Sequence, residues 1–194
     1  SCGMRAGRII QNMLQFSRKS DGGYELTDMV DLVDRTVELA ANDYDLKKKF
    51  DFRHIRIERD YAENLPPVPA RQTELEQVVL NILKNAAQAM QGMEDTSHVA
   101  TIRLALRREG PMVKLVIADN GPGMAETTRR RIFEPFFTTK DIGEGTGLGL
   151  SVSYFIITNN HGGRIEVRST PGDGAAFEIS LPVERGADDT PADC

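Results

Sequence analysis

Apolar positions recur along this chain with two periods, near 3.6 and 2, and the alternation between them predicts the order of elements. From Arg5 to Ser17, the residues Ala6, Ile9, Ile10, Met13 and Leu14 form one helical stripe that Asp21-Gly22-Gly23 ends. So short a helix is marginal alone, and its natural partners are expected upstream of Ser1, as in a chain cut from a longer one. Tyr24 to Thr27 predicts a short strand, and Met29 to about Tyr44 a helix with Val30, Val33, Val37 and Ala40 in register. His54, Arg56 and Glu58 alternate with Ile55 and Ile57 as in a half-buried strand. The following Leu65-Pro66-Pro67-Val68-Pro69 is expected not to continue a sheet ladder. A helix is predicted from about Gln72 to Met90. Strands at Ala100–Leu106 and Val113–Asp119 should join as a hairpin through Glu109-Gly110-Pro111. Residues 121–147 read as a long functional loop with a short helical stretch near Thr127–Ile132. A helix from Leu148 to Asn159 and strands at Gly163–Ser169 and Ala175–Pro182 follow. This order implies an α+β fold: a two-layer α/β sandwich whose mixed, mostly antiparallel sheet carries its helices on one face.

Composition narrows the class. With 194 residues, 40% hydrophobic and 27% charged, the chain can fold one full domain plus a fragment of another. No apolar run reaches the roughly 20 residues of a membrane-spanning helix, and no signal-peptide layout opens the chain, so a cytoplasmic piece without membrane contact is expected. Cys2 and Cys194 stand at opposite ends and build neither a disulfide framework nor a zinc site. A net charge of -5 argues against nucleic acid as a partner. Arg129, Arg130 and Arg131 read as a solvated helix face, and the acidic tail 184–194 is expected to be disordered.

Three short stretches carry candidate chemistry. Asn81 and Asn85 lie four apart on one face of the predicted 72–90 helix. A single amide oxygen suits magnesium, which draws its other ligands from water and phosphate; two amides at this spacing are also ordinary on an exposed helix. Apolar Leu80, Ile82, Leu83, Ala86 and Ala87 beside them favour a pair bordering the core. Asp119-Asn120-Gly121-Pro122-Gly123 ends a strand with a carboxylate and bare backbone, which could accept from adenine's amino group, or be simple hairpin chemistry. Gly143-Glu144-Gly145-Thr146-Gly147-Leu148-Gly149-Leu150 runs into a helix and offers N–H groups to an anion such as a triphosphate, without the Gly-Lys-Ser/Thr of a P-loop. Lys140, just before it, could add a point charge or be a mobile surface lysine.

In one fixed order, Asn81 and Asn85, Asp119 to Gly123, Phe133-Glu134-Pro135-Phe136-Phe137-Thr138-Thr139-Lys140, and Gly143 to Gly149 resemble the N box, first glycine box, F box and second glycine box of sensor histidine kinases. The wider superfamily, with the Bergerat fold, also contains gyrase and MutL. The resemblance implies an ATP-binding catalytic domain at 24–183 with a lid at 125–145. It makes residues 1–20 the second helix of a dimerisation and phosphoacceptor hairpin. It implies ATP and Mg2+ at the site, with Asn85 as the magnesium ligand and Asp119 as the adenine reader. Asn81, Gly121, Gly123, Lys140, Gly145, Thr146, Gly147, Leu148 and Gly149 complete the site, and Asn81, Asn85 and Lys140 act in catalysis.

The implied reaction is γ-phosphoryl transfer to a histidine on the other hairpin helix. That helix is absent, and His54, His98 and His161 are not followed by the acidic residue of the acceptor motif. A response regulator receiver domain and a homodimeric parent are the implied partners. Where gyrase and MutL carry a water-activating glutamate, Asn81 cannot act as a base, which implies transfer rather than hydrolysis. The chain departs from the family at Ala175, usually threonine, where a modest change in nucleotide affinity is expected. A hydrolytic ATPase and a module that binds without catalysis remain the alternatives.

Overall fold

In the computed structural model, residues 23–42, 52–91, 99–140 and 146–184 are described. The expected helix at Arg5–Ser17, the lid residues 141–145, His98 and residues 185–194 of the tail lie outside them.

The elements in chain order are β1 (Glu25–Thr27), α1 (Met29–Asn42), β2 (Arg56–Tyr61), β3 (Val68–Ala70), α2 (Gln72–Met90), β4 (Thr101–Glu109), β5 (Met112–Asp119), α3 (Glu126–Arg129), α4 (Gly149–Phe155), β6 (Arg164–Ser169) and β7 (Ala175–Pro182). Asp28 starts α1, its Oδ1 accepting the N–H of Val30 at 2.8 Å. Leu32, Val33, Val37 and Ala40 then face inward. α2 buries Leu75, Val78, Val79, Ile82, Leu83, Ala86, Ala87 and Met90, a face wide enough to pack on α1, on α4 and on the sheet.

Five strands pair in the order β2-β4-β5-β7-β6, with β2 parallel to β4 and the other pairs antiparallel. One face is apolar. Ile102, Leu104 and Leu106 of β4, Val113, Leu115 and Ile117 of β5, Ile165 of β6, and Phe177, Ile179 and Leu181 of β7 are buried beneath the helices. The alternate residues form an uncovered charged face, which explains the strict alternation in the sequence. There Glu178 lies 2.9 Å from Arg168 and 3.6 Å from Lys114, and Glu58 lies 3.1 Å from Arg103. Such exposed pairs contribute little, so Arg103→Ala is expected to change stability by less than about 1 kcal/mol in a thermal melt.

The proline-rich segment departs from expectation: Val68-Pro69-Ala70 forms β3 and pairs antiparallel with β1, Pro69 opposite Leu26. Each strand of a two-stranded ribbon has a free edge, where a missing N–H costs no ladder bond. His54 lies in a 3-10 turn, Phe52–His54, and not in β2. No helix among the described residues is long and apolar enough to cross a membrane.

Candidate nucleotide-binding site

Three loops meet along one face of α2. Asn81, Asn85 and Ala89 recur every fourth residue, which lines them up over about 12 Å of helix. Asn81 Nδ2 donates to the carbonyl oxygen of Gly149 and to Ser153 Oγ, both at 3.3 Å. The fully buried Ser153 donates in turn to Gly149 O at 3.0 Å. Asn81 therefore holds the start of α4. One turn further, Asn85 Oδ1 accepts from Lys140 Nζ at 3.5 Å, and the same ammonium donates to Gln88 Oε1. At the end of α2, a Cβ on Gly121 would sit 3.3 Å from Met90 Cγ and 2.8 Å from Asp119 Oδ1.

Asp119 stands at the tip of β5. Its Oδ1 accepts the N–H of Gly121 at 2.9 Å and of Ala175 at 3.3 Å. Burial raises its pKa above the ordinary carboxylate value, and these backbone N–H groups counter the shift only in part. Asn120 stitches the sheet edge beside it: Oδ1 accepts from Thr101 N at 2.8 Å and Nδ2 donates to Val99 O at 2.9 Å. Gly123 takes φ +68°, and a Cβ there would overlap the carbonyl oxygen of Thr170. The loop is tied to the β6–β7 turn by Met124 N–H donating to Ser169 Oγ at 2.8 Å, by Ser169 Oγ donating to Gly174 O at 2.7 Å, and by Gly172 N–H donating to Pro122 O at 2.8 Å.

The third loop enters α4. Leu148 N–H leans on Thr146 Oγ1 at 3.4 Å, and Gly147 O accepts from Phe136 N–H at 2.8 Å. Phe136 itself takes φ +66°, a strained conformation for a bulky residue, held by this back-to-back contact with Gly147. Phe133 and Phe137 pack against the core, whereas Phe136 is 45% exposed. α3 is braced by Glu126 with Arg129 and Arg130, and Arg131 pairs with Glu134 at 2.9 Å.

Asn81, Asn85, Lys140, Asp119, Gly121, Thr146, Gly147, Leu148 and Gly149 are thus gathered along one side of α2, with Gly123 in the adjoining loop; Gly145 lies outside the described residues. Sequence patterns missed Ser153, Ser169 and Gln88. The two hydroxyls are isolated in otherwise apolar or alternating stretches, and Gln88 is one more polar residue on an amphipathic helix. Only its position seven residues after Asn81, on the same helix face, signals it.

Residues 70–185 match the histidine kinase-, DNA gyrase B- and HSP90-like ATPase family. The chain belongs to that family. Within it, this is the catalytic domain of a sensor histidine kinase. It is 34% identical over 185 residues to sporulation kinase E of Bacillus subtilis (strain 168), covering 95% of this chain and 23% of that protein. The solved catalytic domain of histidine kinase ThkA superposes with a TM-score of 0.68 at 26% identity, over 84% of this chain and 97% of that one. Full-length ShkA in complex with AMPPNP superposes with a TM-score of 0.66 at 27% identity, over 84% of this chain and 32% of that one. The chain therefore spans under a third of sporulation kinase E and of ShkA.

Proposed function

We propose that this domain binds Mg-ATP between α2 and the three loops and donates the γ-phosphoryl group to a histidine on a separate helix, for relay to a response regulator aspartate. The observation that carries this reading is the meeting of Asp119, Asn85 and the Gly147–Gly149 turn along one helix face.

The residues fit such a ligand. Bare backbone at Gly121 and Gly123 lets a flat ring approach, and Asp119, with Oδ1 occupied by two N–H groups, keeps Oδ2 to accept from an exocyclic amine. Asn85 Oδ1 already faces a cationic nitrogen, Lys140 Nζ, which stands in for the charge of a metal ion. Among the described residues no trio of His, Cys, Asp or Glu could hold a metal. An ion at Asn85 would therefore draw its other ligands from phosphate and water. Magnesium, when bound, neutralises phosphate charge and aligns the transferred group. Lys140, now on Asn85 and Gln88, would then be the residue to supply positive charge to the phosphates. Asn81 spends its amide on Gly149 and Ser153 and offers no base for water, which favours transfer over hydrolysis.

The acceptor helix would approach beside the lid, where Phe136, Tyr154 and Phe155 are 45%, 44% and 48% exposed. Residues 1–20 as one helix of that hairpin, a homodimeric parent and a receiver domain as partner belong to the same reading.

Radiolabelled ATP with magnesium should label a supplied helical hairpin that carries the acceptor histidine and leave this chain unlabelled. Strong labelling of the chain alone would place the acceptor elsewhere. Steady phosphate release with no acceptor present would favour a hydrolytic ATPase.

A further inference from the structure

His161 has no part in the site just described, yet it is 5% exposed and makes two hydrogen bonds to the main chain. After α4 the chain widens into a π-helical turn, Ile156–Asn160. Both His161 N, at 3.2 Å, and His161 Nδ1, at 2.9 Å, point at the carbonyl oxygen of Ile156. On the other side of the ring, Nε2 lies 3.1 Å from the backbone nitrogen of Arg71, the residue immediately before α2. Backbone N–H groups only donate, so Nε2 is the acceptor and the proton sits on Nδ1. Only the neutral Nδ1–H tautomer satisfies both partners.

Arg71 makes no side-chain cap for α2. The start of that helix is instead gripped from the 156–161 turn, by the ring at Arg71 and by Asn160 Nδ2 donating to Glu74 Oε2 at 2.9 Å. Two turns along α2, Asn81 grips the start of α4. Both ends of the segment 149–161 are thus pinned to the first half of α2, with the glycine turn at one of them.

We infer that His161 is a positioning residue for nucleotide binding: its neutral ring fixes α2, with Asn81 and Asn85, against the segment that opens at the glycine turn, and protonation releases that hold. An imidazolium would set N–H against the Arg71 N–H. Glu74 faces the ring, 3.9 Å from Nδ1, as does Tyr24, whose ring centre is 5.6 Å away and carries the Arg71 guanidinium 4.9 Å above it. Glu74 offers a counter-charge to the protonated ring, and its carboxylate is also engaged by Arg71 at 3.3 Å and by Asn160.

The inference rests on the ATP site proposed above. The test is titration of this chain with ATP and magnesium between about pH 8 and about pH 5.5, across the range in which histidine charges. His161→Gln keeps an acceptor for Arg71 and cannot titrate. It should bind within about threefold of the unmodified chain at the upper pH and lose roughly tenfold less affinity on acidification. His161→Asn keeps the donor to Ile156 but not the reach to Arg71, and should bind weakly at both. Titration of Asp119 and of ATP is common to all three proteins and cancels in the comparison. Superimposable pH curves for the unmodified chain and His161→Gln would overturn the positioning role and leave the ATP site standing. Failure of the unmodified chain to bind ATP at the upper pH would overturn the site itself. If a variant does not fold, nitrogen NMR of the His161 ring in the unmodified chain decides instead. A neutral Nδ1–H ring that titrates together with the affinity supports the role, and an Nε2–H ring refutes it.

Discussion

Asp119→Asn should lower ATP affinity by on the order of 100-fold, because it turns a charge-assisted acceptor into a donor aimed at adenine's own donor. The asparagine oxygen can still accept from Gly121 and Ala175, so the loop keeps its shape. The fold should hold or improve. Burial raises the folded-state pKa of Asp119 above its ordinary value of 3.8, so its favourable contribution is fully present only below that value and is lost as pH rises through the folded-state pKa. At neutral pH the ionised carboxylate is a cost that asparagine removes. Thermal melts should therefore place the variant level with or above the unmodified chain near pH 7 and level with it in acid, while calorimetric titration reads the lost binding. Unchanged ATP affinity in Asp119→Asn would remove the adenine assignment.

Gly123→Ala should cost about 3 kcal/mol of stability and at least tenfold in ATP affinity. Two penalties coincide there: φ is +68°, and the added methyl overlaps the Thr170 carbonyl, so the Asp119–Gly123 loop and the β6–β7 turn must separate. That separation breaks the Met124–Ser169 and Gly172–Pro122 bonds. Gly172→Ala is the control. It too has positive φ, +91°, but open space where the methyl would go, so thermal denaturation should register only the backbone strain of about 1 kcal/mol. Equal losses in the two variants would mean that the Thr170 contact is not the cause.

What the sequence made legible follows from how local each signal is. The β4–β5 hairpin, the strands β6 and β7 and the helix α2 are readable because their alternation, or 3.6-residue stripe, is complete within the segment. β3 is not, because three prolines argue against a strand until a two-stranded ribbon with free edges is allowed. The helix expected at 148–159 runs to Asn160, but its widening from α to π geometry after Phe155 is unreadable for a related reason. The wide turn after it is held by His161, and that ring is fixed by Arg71, 90 residues away. At the site, Asp119 and the glycines announced themselves through spacing. Asn81 was found as a residue, but its engagement with Gly149 and Ser153 was invisible, since hydrogen-bond partners 68 and 72 residues apart leave no periodic trace.

The pairing of β5 with β7 sets Ala175 directly opposite Asp119, so the pocket floor is laid on two inner strands of a five-stranded sheet. Amides there open to solvent only when the sheet itself comes apart, at close to the full free energy of unfolding. The described residues on the other side of the site, 133–140 and 146–148, lie outside the sheet, where openings of far lower cost are expected. In the proposed ATP reading, nucleotide would then enter and leave through excursions that spare the floor.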